Sequence, residues 1–504
     1  MTNGLISFLA MLAASLLLDA TVRPYSARLR RWQGLFLHLL IMTSVFALWL
    51  VVFGNVTAAS VLAVAAMALF TVASNAKYKM LGEPLVFSDL ALVASIFRHP
   101  RFYFTAIPVR QRWIAAIGAT AAVIALLPLI STRPQPHLMG IGLLLSASGA
   151  VWLLLRTRRF DSMASMPDLA GDVARFGLIA TLLLYWRRWR RSPDPRPCPT
   201  LAPISGLASP TAPELIIIVQ CESFADPVAI TDKAPPALPE LDRARAIAWQ
   251  QGDLHVSGFG AYTMRTEYGV LFGRSETALG FRRYDPFLTA QGEASYALPA
   301  RLAGAGYRSS FVHPHDMRFY SRDRLMPAIG FDEVIGESGF APIPAGGGRY
   351  VDDRTLGATL VNLASKAAAP RLVYAVTMEN HGPWESDIAK DAAGRLDAYL
   401  GRLRSSDAML GDLIEYLSND GRPALLVFFG DHRPSIPGVT APDGARHTPY
   451  VVVRFDAGGR VLKGESAAID LTPAALHHLV LRCVQPDIAT PDAAFNHSEE
   501  RGRA

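Results

Sequence analysis

The sequence predicts an N-terminal α-helical transmembrane bundle followed by an α/β domain with a mainly parallel central sheet flanked by helices. Three observations carry that expectation. The 504-residue chain is 51% hydrophobic with a mean hydropathy of +0.23, yet 18% of it is charged. It is too apolar for a purely soluble enzyme and too charged for a chain wholly embedded in lipid. The apolar excess lies in the first third. Beyond Glu214, short apolar runs recur with helical or loop stretches between them, as alternating β and α units require.

Five segments of the first third, Gly4 to Ala20, Leu35 to Phe53, Ala58 to Val72, Trp113 to Ile130 and Leu138 to Leu155, are each near the roughly 20 residues that cross a bilayer. We therefore expect a transmembrane domain over residues 1–160. The first segment lacks a basic start and is soon followed by another long apolar one, which argues against a cleaved signal. Arg23, Arg28, Arg30 and Arg31 follow the first span, Lys77, Lys79, Arg98, Arg101 and Arg110 the third, and Arg156, Arg158 and Arg159 the fifth. On charge alone those loops are cytoplasmic. The C-terminal domain then reaches the outside only if "FGLIATLLLYW" (Phe176 to Trp186) crosses as a short sixth span. At about 11 residues it reads better as an interfacial helix, with Trp186, Trp189 and Arg187 to Arg191 at the headgroups.

That helix and the Pro-rich stretch "RRSPDPRPCPTLAPISGLASPTAPE" make residues 161–212 a connecting segment, with the α/β domain over 213–486 and a flexible tail over 487–504. The net charge of +6 and pI near 9.2 do not point to nucleic acid, because the basic residues sit beside apolar spans and no basic stretch is interleaved with stacking aromatics. A membrane carrying anionic lipid is the better partner. Cys198, Cys221 and Cys483 are scattered without CxxC spacing, so neither a disulfide framework nor a thiolate zinc site is expected.

In the C-terminal domain, "LIIIVQ", "RSSFVH", "LVYAVTM", "ALLVFFG" and "YVVVRF" read as strands, and "ALPARLAGAG" and "SSDAMLGDLIEYLSND" as amphipathic helices. In "ALLVFFGDHRPS", Gly430 breaks an apolar strand so that Asp431 and His432 stand at its carboxyl end, where open α/β sheets keep their chemistry. Other strand ends supply similar residues: Glu222 in "CESF", Thr263 in a Gly-rich turn, His313, His315, Asp316 and Arg322 in "VHPHDMRFYSR", and His381 in "ENHGPW". Taken singly, each reads equally as a cap, a turn residue or a solvated histidine. Together they place oxygen and imidazole ligands along one edge of one sheet.

Glu222, Asp431 and His432 offer two carboxylates and a nitrogen, a set suited to Mn²⁺ or Zn²⁺, with Mg²⁺ as a further alternative. A metal beside Thr263 lowers the pKa of its hydroxyl and makes it a nucleophile. Asp316, His381 and Arg322 would bind the oxygens of a phosphorus-centred substrate.

With these residues in hand, the domain resembles the sulfatase-like branch of the alkaline phosphatase superfamily, and within it lipoteichoic acid synthases and bacterial phosphoglycerol transferases of periplasmic glucans. "NAKYKMLGEPLVFSDL" (Asn75 to Leu90) is also similar to a loop of those membrane transferases. Their nucleophilic threonine lies four residues before a Glu-aromatic pair, and Glu267 and Tyr268 place it at Thr263, not Thr266. The resemblance implies a metal set of Glu222, Thr263, Asp431 and His432 and phosphoglycerol contacts from Asp316, Tyr320, Arg322 and His381. Tyr320 stands where those synthases typically carry Trp. The resemblance further implies a multi-pass protein of the bacterial inner membrane, with five spans, the amino terminus inside and the catalytic domain facing the periplasm or outside, against the sidedness that the charge count gives. The reaction expected is transfer of phosphoglycerol from phosphatidylglycerol to an envelope glycan or glycerophosphate polymer.

Phosphoethanolamine transfer, a phosphodiesterase and a sulfuric-ester-hydrolase-like activity are alternatives on the same fold, and a non-catalytic anchored scaffold is a further one. The domain has no Cys or Ser in a C/S-x-P-x-R pattern, which disfavours sulfate ester hydrolysis through formylglycine. Phosphoethanolamine transferases usually carry several disulfides, unlike this chain.

Overall fold

The structure is a computed structural model that describes residues 2–25, 30–90, 109–193, 212–231, 237–344, 348–367, 370–384, 391–442, 444–464 and 468–485. It forms two compact units, Met1–Ser192 and Pro193–Ala504. Cys198, most of the expected Pro-rich linker and all of the expected tail lie outside the described residues.

Among the described residues of the first unit, four helices are long and apolar enough to cross a membrane: Asn3–Ala20, Trp32–Phe53, Val56–Leu81 and Pro134–Leu154. Local chemistry sets their ends. Gly54, at φ 59°, closes one helix in the left-handed region, and the Asn55 side chain caps the next by accepting from Ala58 N. Gly140 lets two helices approach closely, since a Cβ there would meet Val51 N at 2.7 Å. The expected span Trp113 to Ile130 falls on the helix Val109–Leu126, part of whose side chains lie outside the described residues.

The expected interfacial segment is the 14-residue helix Leu178–Arg191, about 21 Å long and therefore shorter than a bilayer core. It is anchored to the bundle through Asp19, whose buried carboxylate accepts from Leu178 N (3.0 Å) and pairs with Arg30.

The second unit is built on an eight-stranded sheet. Its strands are β1 (Leu215–Cys221), β2 (Gln250–His255), β3 (Arg308–Val312), β4 (Glu333–Ile335), β5 (Arg371–Val376), β6 (Ala424–Gly430), β7 (His447–Phe455) and β8 (Val461–Leu462). The order is β2-β7-β6-β1-β5-β3-β4, with β8 on β7. From β6 through β4 the pairings are parallel, and β7 joins β6, β2 and β8 antiparallel.

All five strands expected from the sequence are present, and β2, β4 and β8 are additions. β1 and β6 are buried on both faces, as parallel strands under helices must be. Ile216 and Ile218 pack with Tyr268 and Leu476 on one side, while Leu215, Ile217 and Val219 pack with Leu241, Leu356 and Leu410 on the other. The helices Thr263–Phe272 and Pro473–Val484 thus cover one face, and Pro239–Ile247, Asp353–Ser365 and Ala392–Asp420 cover the other.

Candidate active site

The register of the central strands assembles the site. Cys221 at the end of β1 pairs with Gly430 at the end of β6, so the next residue on each strand, Glu222 and Asp431, emerges side by side. A single extra atom would spoil this arrangement. A Cβ on Gly430 would lie 1.9 Å from Phe224 O, so glycine is needed there for close approach rather than for a positive φ.

Ser223 turns the chain at φ 51° and joins both carboxylates. Its N–H donates to Asp431 Oδ1 (2.8 Å) and its hydroxyl to Glu222 Oε1 (2.8 Å). His432 Nε2 lies 3.5 Å from Glu222 Oε1 and 3.6 Å from Asp431 Oδ2. One ligand atom from each of Glu222, Asp431 and His432 falls within 4.8 Å of the others, and all three residues are buried.

These residues fit a divalent cation. Asp431 Oδ2 is buried without a hydrogen-bond partner among the described residues, an arrangement that costs free energy unless something positive faces it. Burial and the neighbouring Glu222 carboxylate push Asp431 up to about 7. Burial opposes the charge on His432, but Asp431 and Glu222 outweigh it and hold the ring above its ordinary value. Two buried carboxylates and an imidazole held this close form a site whose electrostatics favour a cation of the hard or borderline kind.

Thr263 completes the cluster. The loop before it pairs with the segment after His432: Phe259 bridges Arg433, and Gly260 N donates to Arg433 O (2.8 Å). Tyr262, at φ 79°, then turns the chain so that Thr263 begins the helix Thr263–Phe272. Its Oγ1 lies 3.5 Å from His432 Nε2, and it is one of the groups that act to lower the Asp431 pKa. A hydroxyl at a helix N-terminus also sits where backbone N–H groups favour an anion. Thr266, by contrast, is buried and donates its hydroxyl to Asp431 O (2.7 Å). The two threonines thus have different surroundings.

The expected substrate-binding residues are distributed around this cluster. Arg322 is fully buried, and its fork is engaged by Glu267, with Nε donating to Oε1 at 3.1 Å and Nη2 pairing with Oε2. Its remaining Nη1 faces His313 Nε2 (3.3 Å), while His313 Nδ1 faces Val376 O (3.0 Å). Both contacts are satisfied when the His313 proton is on Nδ1, an assignment made from these partners. Burial and Arg322 hold His313 well below the ordinary imidazole range, so the ring is neutral.

Tyr320 sits at φ 56° with its ring 5.2 Å from the Arg322 guanidinium. Through Glu267, the Tyr320 and Arg322 segment is fixed to the helix that carries Thr263. Asp316 lies on the loop after β3, paired with Arg318 and partly exposed. His381 follows β5, its Nδ1 3.5 Å from the Tyr350 hydroxyl. Burial, His381 and Arg322 push His315, 6.1 Å from the Tyr350 ring, down to about 4.

Sequence reasoning missed Ser223, Glu267 as the partner of Arg322, and Tyr350. Ser223 adjoined a chosen ligand, but its positive φ leaves no trace in composition. Tyr350 lies on a distant loop with nothing local to flag it.

The sulfatase family profile matches residues 214–480. The chain belongs to the sulfatase family. This sulfatase-family chain is 30% identical over 404 residues to the capsular polysaccharide biosynthesis protein RkpI of Rhizobium meliloti strain 1021, covering 76% of this chain and 75% of RkpI. A second protein of that strain, whose name ties it to cyclic beta-1,2-glucan modification, is 26% identical over 246 residues, covering 45% of this chain and 37% of that protein.

Among solved structures, the integral membrane lipooligosaccharide phosphoethanolamine transferase A (EptA) of Neisseria meningitidis superposes with a TM-score of 0.56 at 13% identity. The match covers 96% of this chain and 94% of EptA. The shared fold is a helical membrane unit followed by a sulfatase-like α/β domain. This sulfatase-family chain is an enzyme of the alkaline phosphatase and sulfatase superfamily.

Proposed function

We propose that this enzyme is a metal-dependent transferase of the bacterial cytoplasmic membrane, with its catalytic domain facing the periplasm or outside. It moves phosphoglycerol from phosphatidylglycerol to an envelope glycan or glycerophosphate polymer through a covalent phospho-threonine, and diacylglycerol is released. The observation that carries this reading is the Thr263 hydroxyl placed at a helix N-terminus against Asp431 and His432. The two Rhizobium relatives, named for capsular polysaccharide biosynthesis and cyclic beta-1,2-glucan modification, support a glycan acceptor.

Glu222, Asp431 and His432 would hold the cation, for which Mn²⁺ suits the donor set, with Zn²⁺ or Mg²⁺ as alternatives. When bound, it would supply Lewis-acid stabilisation of negative charge at the reacting oxygens. Thr263 Oγ attacks the donor phosphorus, and the P–O bond to diacylglycerol breaks, that alcohol leaving with a proton. An acceptor hydroxyl then attacks the phospho-threonine, its proton is lost to solvent or a base, and Thr263 regains its hydroxyl. Arg322, oriented by Glu267 and His313, presents positive charge at the site, and His381, Tyr320 and Asp316 are suited to the glycerol hydroxyls.

The test is incubation of the full-length enzyme with Mn²⁺ and phosphatidylglycerol vesicles without acceptor, followed by peptide mass spectrometry. A mass addition of one phosphoglycerol on the peptide carrying Thr263, with diacylglycerol in the lipid phase, is expected. Diacylglycerol release at a normal rate from an enzyme whose Thr263 peptide stays unmodified would overturn the reading.

Phosphoethanolamine transfer is the second reading. The whole-chain fold likeness to a phosphoethanolamine transferase favours it, and Tyr320, standing where the resembling synthases carry Trp, leaves the headgroup undecided between the two. The same assay with phosphatidylethanolamine vesicles separates the two by the mass of the adduct.

A further inference from the structure

A cavity of about 580 Å³ is walled by Pro314 and His315 after β3 and by residues from 337–343 and 349–351. Three observations tie it to the site. His315 and Tyr350 belong to its wall, and their rings lie 6.1 Å apart. The Tyr350 hydroxyl is 3.5 Å from His381 Nδ1. Burial raises the pKa of the Tyr350 hydroxyl, and the Glu222 charge adds to that rise. Tyr350 thus belongs both to the cavity wall and to the surroundings of His381.

The lining is mixed in a specific way. Phe340, Ile343 and Tyr350 give flat or aliphatic walls, while Arg349 and Glu337 bring both a cationic fork and a carboxylate to the same space. Phe340 is partly buried against the core, Ile343 is 40% exposed, and Arg349 stacks 5.3 Å from the Tyr350 ring. An acyl chain has no use for a charged pair, and a bare phosphate has no use for Phe340 and Ile343. A sugar ring uses both, its C–H faces against the apolar walls and its hydroxyls on the fork and the carboxylate.

We infer that this cavity is the acceptor subsite, taking a sugar residue of a neutral glycan and directing one hydroxyl past Tyr350 toward the phosphorylated Thr263. The inference rests on the transferase reading above and deepens it by naming where, and by what chemistry, the acceptor is held.

The experiment uses the full-length enzyme with phosphatidylglycerol vesicles and a β-1,2-linked glucose oligosaccharide as probe. Phe340→Ala is expected to raise the KM for the oligosaccharide about tenfold, the scale of one lost apolar contact in a binding site. Diacylglycerol release without acceptor should stay within about twofold of wild type. Because Phe340 also packs on the core, Glu337→Gln and Arg349→Gln, both exposed, serve as variants that keep the fold; each should raise the same KM.

Saturation-transfer NMR of the probe on Thr263→Ala enzyme provides a readout free of turnover. Probe signals present with Thr263→Ala alone and lost on adding Phe340→Ala support the subsite. An unchanged acceptor KM in all three variants, or no probe binding, overturns it. A rise in the KM for phosphatidylglycerol instead assigns the cavity to the lipid and also overturns it. Absence of any adduct on Thr263 sinks the transferase reading separately, whatever the NMR result.

Discussion

Two threonines three positions apart show how much a single hydroxyl's surroundings decide. Thr263 points at Asp431 and His432, whereas Thr266 donates to the Asp431 backbone carbonyl. Thr263→Ala should lower turnover at least about 10³-fold, because no remaining group replaces a lost covalent nucleophile. Thr266→Ala should cost about 1 kcal/mol of stability and leave turnover within about tenfold, read by thermal unfolding and diacylglycerol release. The cation centre gives a second residue-scale test. Exhaustive chelation should abolish diacylglycerol release and Mn²⁺ should restore it, while Asp431→Asn should lower metal content measured by mass spectrometry without unfolding the domain. Full activity in metal-free protein would overturn the assignment.

At the scale of elements, the site depends on strand ends being held flush. Gly430→Ala would put a methyl group 1.9 Å from Phe224 O, so the β1 and β6 ends must separate. We expect a stability loss of about 1–3 kcal/mol and a larger fall in metal affinity, measured by denaturant unfolding and metal titration. Behind the site, the helix Asp353–Ser365 begins with a buried carboxyl that takes the Ser406 hydroxyl (2.5 Å) and lies 3.9 Å from Cys221 Sγ. Burial, and then the Glu379 charge, push Asp353 from an ordinary 3.8 up to about 8. Its folded form holds the proton that the unfolded chain releases, so its stabilising contribution is full below pH ~4 and is lost as pH rises through about 8. The melting temperature of wild type should therefore fall between pH 5 and pH 9 by more than that of Asp353→Asn. Equal falls would show that Asp353 carries no such linkage.

For the whole molecule, the open quantity is sidedness. The helix Leu178–Arg191 is about 21 Å long, so it should not change the side of the chain. Reporter fusions at Asp161 and Pro193 should then report the same side, and a fusion after Val484 should be active only when exported. Opposite signals at Asp161 and Pro193 would require a sixth span. A cytoplasmic signal after Val484 would remove the outer-leaflet donor from the proposed reaction.

Much of this protein was determined by its sequence alone. Apolar runs of bilayer length, the switch to short β-rich runs after Glu214, and ligand-type residues at successive strand ends depend only on local composition and period. They were enough to nominate Glu222, Thr263, Asp431 and His432 as candidates, with the family resemblance choosing Thr263 over Thr266. What only the tertiary structure decided depends on contacts between distant segments. The pairing of Cys221 with Gly430 makes two carboxylates neighbours. The Glu267 pair fixes the Arg322 fork to the helix that carries Thr263. Tyr350 reaches His381 across 31 residues of chain. No period or spacing encodes such meetings, because their partners are chosen by strand register and by the burial of charge. Those are properties of the folded sheet, not of any one stretch of it.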